Sequence, residues 1–196
     1  MAAPLFRRHA ALRMSSIRTI NLEVDGTEVL TEHRFSLYAF QAIDTNLAGW
    51  PTLWLASAAL APRMTIAIDP STQVFTAPVD GIAPPDIVSP GAIYALAAGQ
   101  MLSVTSPAGT GAVVDGDAPD SVAILDTIAT PFTCGMLTGR NGSPGAPNCA
   151  LALFGGHQLL LRPRDAYLLT IESCGRSVGA RVARLSAPSL LVSLAG

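Results

Sequence analysis

Three aspartates stand close together within residues 115–120, which read Asp-Gly-Asp-Ala-Pro-Asp. Carboxylate oxygens are the ligands that hard cations such as Ca²⁺ prefer, so Asp115, Asp117 and Asp120 are candidate metal ligands. The segment lacks the loop of about 12 residues and the closing Glu of an EF-hand. Its Gly and Pro are typical of a turn, so we expect a solvated turn and no bound metal.

A second pattern with chemical meaning is the segment 175–179, Gly-Arg-Ser-Val-Gly, which matches the Gly-x-Ser-x-Gly nucleophile elbow. In the fold that uses this elbow, the catalytic acid and the histidine follow the serine along the chain. No Asp, Glu or His follows Ser177. We therefore interpret this segment as a turn of small residues between strands.

The three cysteines, Cys134, Cys149 and Cys174, lack the CxxC spacing of a zinc site. Cys134 and Cys149 flank residues 139–148, which are rich in Gly, Pro and Asn and predict a loop. The two cysteines could form a disulfide in an oxidising compartment. Their apolar neighbours favour buried free thiols instead, and the sequence leaves the pairing open.

The histidines, His9, His33 and His157, are scattered along the chain. There is no His-Glu-x-x-His motif, phosphate loop or dinucleotide fingerprint, so we expect no cofactor and no enzymatic activity. An enzymatic alternative would combine Asp115 or Asp117 with His157, and it requires these side chains to converge in one pocket.

Aromatic side chains offer a further binding hypothesis. Trp50, Trp54, Tyr38 and Tyr94 could form a platform on which sugar rings stack. Aromatic residues make up only 6% of the chain, which favours a role for these four in the core.

The elements that must position these residues are short strands. Residues 149–171 contain apolar runs separated by Gly155-Gly156 and by residues 163–165, which read Pro-Arg-Asp. Pro fixes its own φ and Asp hydrogen-bonds the nearby backbone, so we predict strand, turn, strand, turn, strand. The side chains predicted to face the core are Leu161, Tyr167, Leu169 and Ile171.

Two further hairpins are predicted. Residues 94–104 alternate around a turn at residues 98–100, with Leu96, Leu102 and Val104 directed inward. Strands at residues 17–24 and 28–40 flank Asp25-Gly26, one of the strongest hairpin signals.

Residues 41–76 give a mixed signal. Residues 41–60 are the best helical candidate, although Pro51 interrupts them and Thr52 to Ala58 fits a strand better. Residues 69–71, Asp-Pro-Ser, predict a turn between two more strands. The chain contains about ten to twelve short strands in all, which predicts an all-β, mainly antiparallel β-sandwich, jelly-roll-like, over residues 17–196.

The composition predicts a large buried surface. Only 13% of the 196 residues are charged and 49% are hydrophobic, against about 25% charged residues in an ordinary soluble domain. A lone monomer with this composition would have a poorly soluble surface, so we expect an interface with other subunits. The net charge of −2 argues against nucleic-acid binding by the whole domain. The most apolar window, residues 53–60, is shorter than the roughly 20 residues that span a bilayer, so we expect no membrane contact.

Residues 1–16 are predicted to form an arm outside the domain. They contain Arg7, Arg8 and Arg13 among apolar residues and have no acidic residue. Such an arm could dock on a neighbouring subunit, and its arginines could instead meet an acidic protein surface or packaged nucleic acid.

The alternating segments 96–104 and 161–169, the low charge and the arginine-bearing arm together resemble the β-sandwich virion proteins of bacteriophages. The resemblance implies a structural subunit of a symmetric assembly, such as a capsid decoration, minor capsid or tail-associated protein. It implies contacts with copies of the same chain and with other subunits, and a location in the virion, with the cytoplasm as the alternative. A ligand-binding or carbohydrate-binding sandwich module is the second functional hypothesis.

Overall fold

The computed structural model describes residues 17–78, 86–140, 142–185 and 189–194. In chain order the elements are β1 (Arg18–Glu23), α1 (Thr27–Glu32), β2 (Ser36–Thr45), β3 (Trp50–Pro51), β4 (Leu55–Ser57), β5 (Arg63–Ala77), β6 (Ala92–Ala95), β7 (Gln100–Val104), β8 (Gly111–Asp115), β9 (Val122–Asp126), β10 (Phe132–Arg140), β11 (Ser143–Pro147), β12 (Cys149–Leu153), β13 (Gln158–Glu172) and β14 (Ser189–Ser193).

These strands form two sheets. Among the described residues, one sheet has the order β1-β5-β10-β12-β3, with β6 also beside β5 and β11 also beside β10. The other has the order β4-β2-β13-β9-β7-β8, with β14 also beside β13. Neighbouring strands are antiparallel except for β7 and β9, which are parallel.

The sheets pack against each other through side chains at alternate positions, which confirms the predicted all-β sandwich. Along β13, Leu161, Tyr167 and Leu169 are buried between the sheets, as their period of two predicts. Leu102 and Val104 of β7 are buried as well. The finer expectations of a jelly roll and of one domain over residues 17–196 stay predictions, and the arm at residues 1–16 lies outside the described residues.

The turns predicted at residues 69–71 and 163–165 are wrong, because each lies inside a continuous strand of 15 residues. In each case the register against the neighbouring strand shifts, so three residues on the long strand face one residue on its partner. On β13 this shift lies between Pro163 and Tyr167. On β5 it lies between Asp69 and Gln73. Proline removes a backbone donor, and a bulge tolerates that loss without ending the strand.

Each bulge coincides with a change of neighbour along the other edge of the long strand. β13 pairs with β9 at residues 158–161 and with β14 at residues 166–170. β5 pairs with β1 at residues 63–68 and with β6 at residues 73–76. The residues that are typical of turns therefore lie where one short neighbouring strand ends and the next begins, and the chain does not reverse there.

Both additional hairpins are also corrected by the structure. The turn at residues 98–100 is present, but β6 and β7 lie in different sheets. Gly26 adopts a φ of 67°, as expected for Asp-Gly, and it leads into α1 instead of a returning strand. β1 and β2 then join opposite sheets, so the connection must cross the sandwich.

Two remaining predictions for irregular or helical structure fail. Residues 41–60 contain no helix and instead supply the end of β2 together with β3 and β4. The preferred interpretation of Thr52 to Ala58 as a strand is confirmed at Leu55–Ser57. Residues 139–148 are not a loop, because β10 extends to Arg140 and β11 pairs with it. Pro51 in the first segment is compatible with a two-residue strand at the edge of its sheet.

The core between the sheets is divided into two apolar clusters by a polar residue of β2. Ile43 and Leu161 belong to one cluster, and Ala39 and Leu169 belong to the other. Gln41 lies between Ala39 and Ile43 in the same alternation and is only 8% exposed. A buried amide in an inward position requires hydrogen-bond partners, and these define the site described next.

Candidate functional site

A cavity of about 240 Å³ lies where the bulges of β5 and β13 face each other between the sheets. Its polar lining residues include Arg18, Asp69, Ser71, Thr72, Asp165 and Tyr167. We call it the bulge cavity. Bulges redirect side chains and are frequent beside binding sites. Two bulges that face each other between the sheets therefore leave room for a pocket.

The mouth of the bulge cavity is bridged by an ion pair between Arg18 of β1 and Asp165 of β13. The two side chains are 40% and 43% exposed, so solvent screens this pair and its contribution to stability is small. Asp69 Oδ1 accepts a hydrogen bond of 2.8 Å from the backbone N–H of Ser71, which fixes the bulge on the opposite wall.

The inner wall of the bulge cavity is a buried hydrogen-bond network centred on Gln41. The Oε1 atom of Gln41 accepts hydrogen bonds from Thr138 Oγ1 at 2.8 Å and from Asn148 Nδ2 at 2.9 Å. Asn148 Nδ2 also donates to Thr138 Oγ1 at 2.8 Å. We call these contacts the Gln41 network, and they join the two sheets through side chains that are at most 8% exposed.

Two aromatic residues extend the Gln41 network. Trp54 Nε1 donates to the carbonyl oxygen of Thr138 at 2.9 Å, and Gln41 Nε2 donates to the hydroxyl oxygen of Tyr167 at 3.4 Å. The Trp54 and Tyr167 rings pack with centroids 5.4 Å apart. Burial, with a further contribution from the charge of Asp165, raises the pKa of Tyr167 to about 12. Tyr167 therefore presents a neutral hydroxyl to the cavity at physiological pH.

This arrangement supplies hydrogen-bond donors, acceptors and charges of both signs on a rigid sheet framework. Such a lining suits a small polar molecule that carries several hydroxyl or amide groups. Its base is apolar at Ile68 and Met136. The described residues that line the bulge cavity include neither cysteine nor histidine.

The three candidate metal ligands do not form a metal centre. Asp115 ends β8, and Asp117 and Asp120 lie in the connection to β9. Across residues 17–78, 86–140, 142–185 and 189–194, no group of three or more His, Cys, Asp or Glu side chains could hold a metal ion. The arm residues Arg7, Arg8 and Arg13 lie outside the described residues.

The register also keeps His157 away from Asp115. Gln158 of β13 is level with Ala112 of β8, three strands away across β9 and β7. Asp115 lies three residues further along β8, so the offset is about 14 Å across the sheet and about 10 Å along it. Asp117 lies two residues beyond Asp115, after the end of β8. The enzymatic alternative required one of these aspartates to converge with His157, and the register places neither of them beside it. His157 Nδ1 lies 3.2 Å from the carbonyl oxygen of Phe154, within the turn before β13.

The serine of the Gly-x-Ser-x-Gly segment is not on a nucleophile elbow. Residues 175–179 form a loop after β13, with Gly175 and Gly179 at φ values of 62° and 83°. The elbow requires a helix directly after the serine, and no helix follows Ser177 in the described part of the chain. The interpretation as a turn of small residues is confirmed.

Cys134 and Cys149 are buried free thiols. In the antiparallel pair of β10 and β12, Cys134 faces Leu151, so Cys149 occupies a diagonal position on the same face. Diagonal side chains have Cβ atoms about 7–8 Å apart or somewhat less, whereas a disulfide requires about 3.8 Å. The register thus favours the free-thiol alternative.

The four aromatic residues do not form a platform. Tyr38 and Trp54 are buried in different apolar clusters, and Trp50 is exposed. The hydroxyl oxygen of Tyr94 accepts a hydrogen bond from the backbone N–H of Gly111 at 3.1 Å, which ties β6 to the β7–β8 turn region. Tyr38, Trp54 and Tyr94 act as packing and anchoring groups.

Sequence reasoning missed the bulge cavity, although part of its signal was present. Inward positions of β2 hold Leu37, Ala39, Gln41 and Ile43, and a single amide in that series marks a buried polar site. Its partners Thr138 and Asn148 come from segments 97 and 107 residues away, and no local pattern connects them.

Comparisons with family models, with curated proteins and with solved structures found no match for this chain. In addition, the described residues include no helix of the length and apolarity needed to cross a bilayer.

Proposed function

We propose that this chain is a structural subunit of a symmetric assembly, held together by sheet edges of adjacent copies. The observation that supports this most strongly is β14, a strand of sequence Ser-Leu-Leu-Val-Ser at the border of its sheet. Leu190 is 59% exposed and Leu191 is 65% exposed. Consecutive leucines exposed on a strand are a poor surface for a monomer and a good one for an interface.

In the part of the chain that the structure describes, β14 also lacks the features that normally protect an edge strand. Soluble proteins protect such edges with charge, proline, bulges or covering segments, because free backbone groups recruit further strands. β14 contains neither charge nor proline, and among the described residues it pairs only with β13. A second edge, β8, exposes Val113 and Val114 and has its only charge at Asp115.

An apolar groove of about 370 Å³ lies beside β14, between it and β1. Its lining includes Leu22, Leu37, Leu169, Ile171 and Leu190. We call β14 and this groove together the β14 edge. The occupant that fits it is a second copy of the chain, because antiparallel pairing of two β14 strands gives each copy the same apolar contact across a two-fold axis.

The finer form of the proposal is a virion protein, for which a capsid decoration, minor capsid or tail-associated role would use such contacts repeatedly. Only 13% of the residues are charged, which supports extensive contact with other subunits. Arg7, Arg8 and Arg13 would reach a neighbouring subunit, an acidic surface or packaged nucleic acid. Deleting residues 1–16 should then weaken assembly and leave the β-rich circular dichroism spectrum unchanged.

The test of the β14 edge is Leu191→Lys, compared with Val29→Lys as a control. Val29 is 59% exposed on α1 and is not among the residues that line the groove, so it controls for adding a charge at an exposed apolar site. A two-fold interface loses two leucine contacts, about 3 kcal/mol or more, so the dissociation constant should rise at least about 100-fold. Sedimentation velocity should show dissociation of Leu191→Lys alone. Equal masses for both variants and the unmodified chain would contradict this interface.

A second candidate function is a ligand-binding module, which the bulge cavity favours. Its hydroxyl, amide and carboxylate groups suit a sugar-like molecule. A panel of mono- and disaccharides should raise the melting temperature if one of them binds the folded chain. The shift should disappear in Asp165→Asn if the bulge cavity is the site. A monomeric mass combined with such a shift would place this function ahead of assembly.

A further inference from the structure

A cluster of three reactive side chains lies just beyond the end of β13, apart from the bulge cavity and the β14 edge. The thiol of Cys174 donates a hydrogen bond to Glu172 Oε2 at 3.1 Å. The same sulfur accepts a hydrogen bond from Arg176 Nε at 3.0 Å. Arg176 Nη2 lies 3.4 Å from Glu172 Oε2, which closes the triangle. A carboxylate and a guanidinium therefore converge on one sulfur atom.

The fold holds the two charged groups in place. Glu172 is the last residue of β13, pairs with Ser36 of β2 and has a side chain that is 2% exposed. The backbone N–H of Arg176 donates to the hydroxyl oxygen of Tyr38 at 2.9 Å. Arg176 Nη2 also donates to the carbonyl oxygen of Arg184 at 3.3 Å. The guanidinium is thus fixed between the sulfur, the carboxylate and a neighbouring loop.

Cys174 differs from the other two cysteines in its access to solvent. Cys174 is exposed. Cys134 and Cys149 are buried in the core. Burial raises the pKa of Cys149 to about 12 and raises the pKa of Cys134 well above its ordinary value. Buried thiols of this kind do not react.

The cluster places a proton acceptor and a cation at one exposed sulfur. Glu172 is positioned to receive the thiol hydrogen, and the cation of Arg176 is positioned to pair with the resulting thiolate. Partial burial alone would lower the pKa of Arg176, but its contacts with Cys174 and Glu172 raise that pKa, so the cation is retained. The segment 175–179 therefore contributes its arginine, and not Ser177, to the only thiol cluster of this kind among the described residues.

We propose that Cys174 is a modification site that reacts with small disulfide compounds by thiol–disulfide exchange. The Cys174 sulfur attacks one sulfur of the reagent, a new S–S bond forms, and the S–S bond of the reagent breaks. The second sulfur leaves as a thiolate, and the thiol hydrogen of Cys174 passes to Glu172 and then to water. No net oxidation takes place, because one disulfide replaces another.

The first test uses 5,5′-dithiobis(2-nitrobenzoic acid) on the folded full chain, with release of the coloured thiolate as the readout. One thiol per chain should react rapidly, and Cys174→Ser should abolish this phase. Cys134 and Cys149 should react only after unfolding in guanidinium. Incubation with glutathione disulfide should give one adduct, which peptide mass spectrometry places on Cys174. Absence of a rapid phase in the folded chain would overturn the proposal.

A second set of variants tests whether Arg176 activates the sulfur. Arg176→Gln should react about fourfold more slowly at pH 7, because the negative charge that develops on the sulfur loses its cationic partner. Arg176→Lys keeps the charge and should recover part of the rate. Arg184→Gln is the matched control, because the contact with Arg176 is made by the backbone carbonyl of Arg184. Equal rates for Arg176→Gln and the unmodified chain would overturn the role of the cluster.

Discussion

Replacing Gln41 with leucine tests whether the Gln41 network stabilises the contact between the sheets. The substitution keeps the approximate size of the side chain and removes the acceptor of two hydrogen bonds, at 2.8 Å from Thr138 and 2.9 Å from Asn148. Both donors are at least nine-tenths buried. Each orphaned donor costs about 1–3 kcal/mol. The added apolar burial offsets part of this, and we expect a net loss of about 3 kcal/mol in the free energy of unfolding.

The assay is equilibrium unfolding in urea, followed by tryptophan fluorescence. Trp54 donates to the carbonyl oxygen of Thr138 at 2.9 Å and so reports directly on the network. The control is Gln158→Leu, a change of the same chemistry at an exposed position, for which we expect a change within about 0.5 kcal/mol.

A double variant tests whether Gln41 and Thr138 are energetically coupled. Thr138→Val removes one of the two orphaned donors, so Gln41→Leu combined with Thr138→Val should lose about 1 kcal/mol less than the sum of the single changes. A loss below about 0.5 kcal/mol for Gln41→Leu, or strict additivity in the double variant, would refute the claim that the network is a coupled unit.

Three other perturbations have definite expected outcomes. Burial raises the pKa of Tyr167 to about 12 and of Cys149 to about 12, so the folded chain keeps protons that the unfolded chain loses above about pH 9 to 10. The contribution of these two groups to the free energy of unfolding should therefore be constant below this range and fall as pH rises toward 12. Urea unfolding at stepwise pH would measure this fall, and a rise would contradict the burial of these groups. A Cβ at Gly135 overlaps the carbonyl oxygen of Cys149, whereas one at Gly156 meets nothing within 4 Å at a φ of 76°. Thermal melts should show severe destabilisation for Gly135→Ala and a loss of about 1–2 kcal/mol for Gly156→Ala, and equal losses would be the contrary result. EDTA should leave the melting temperature unchanged, and a large drop would revive Asp115, Asp117 and Asp120 as cation ligands.

The inward face of each strand could be predicted from the sequence, because alternation is a local property. Leu161, Tyr167 and Leu169 are buried as their spacing indicates, and the sandwich class follows from many such segments. The connections could not be predicted to the same degree. Pro163 and Asp165 have the chemistry of a turn, but the same chemistry suits a bulge, and only the neighbouring strands β9 and β14 decide between the two.

The two candidate sites differ in the sequence separation of the residues that form them. The bulge cavity joins Gln41 to Thr138 and Asn148 across long sequence separations, which a reading of local patterns does not detect. The Cys174 cluster lies within residues 172–176 and was in reach of local reasoning. It was not predicted, because neither the exposure of Cys174 nor the direction of its side chain follows from the loop sequence.

The most direct test of the assembly proposal is the mass of the purified full chain in solution, measured by light scattering over a range of concentrations and salt levels. We expect a defined oligomer or growth into large particles, with little weakening at high salt because the β14 edge is apolar. A mass of 20.3 kDa at every concentration would correspond to a monomer. That result would contradict the assembly proposal and leave the bulge cavity as the centre of the protein's function.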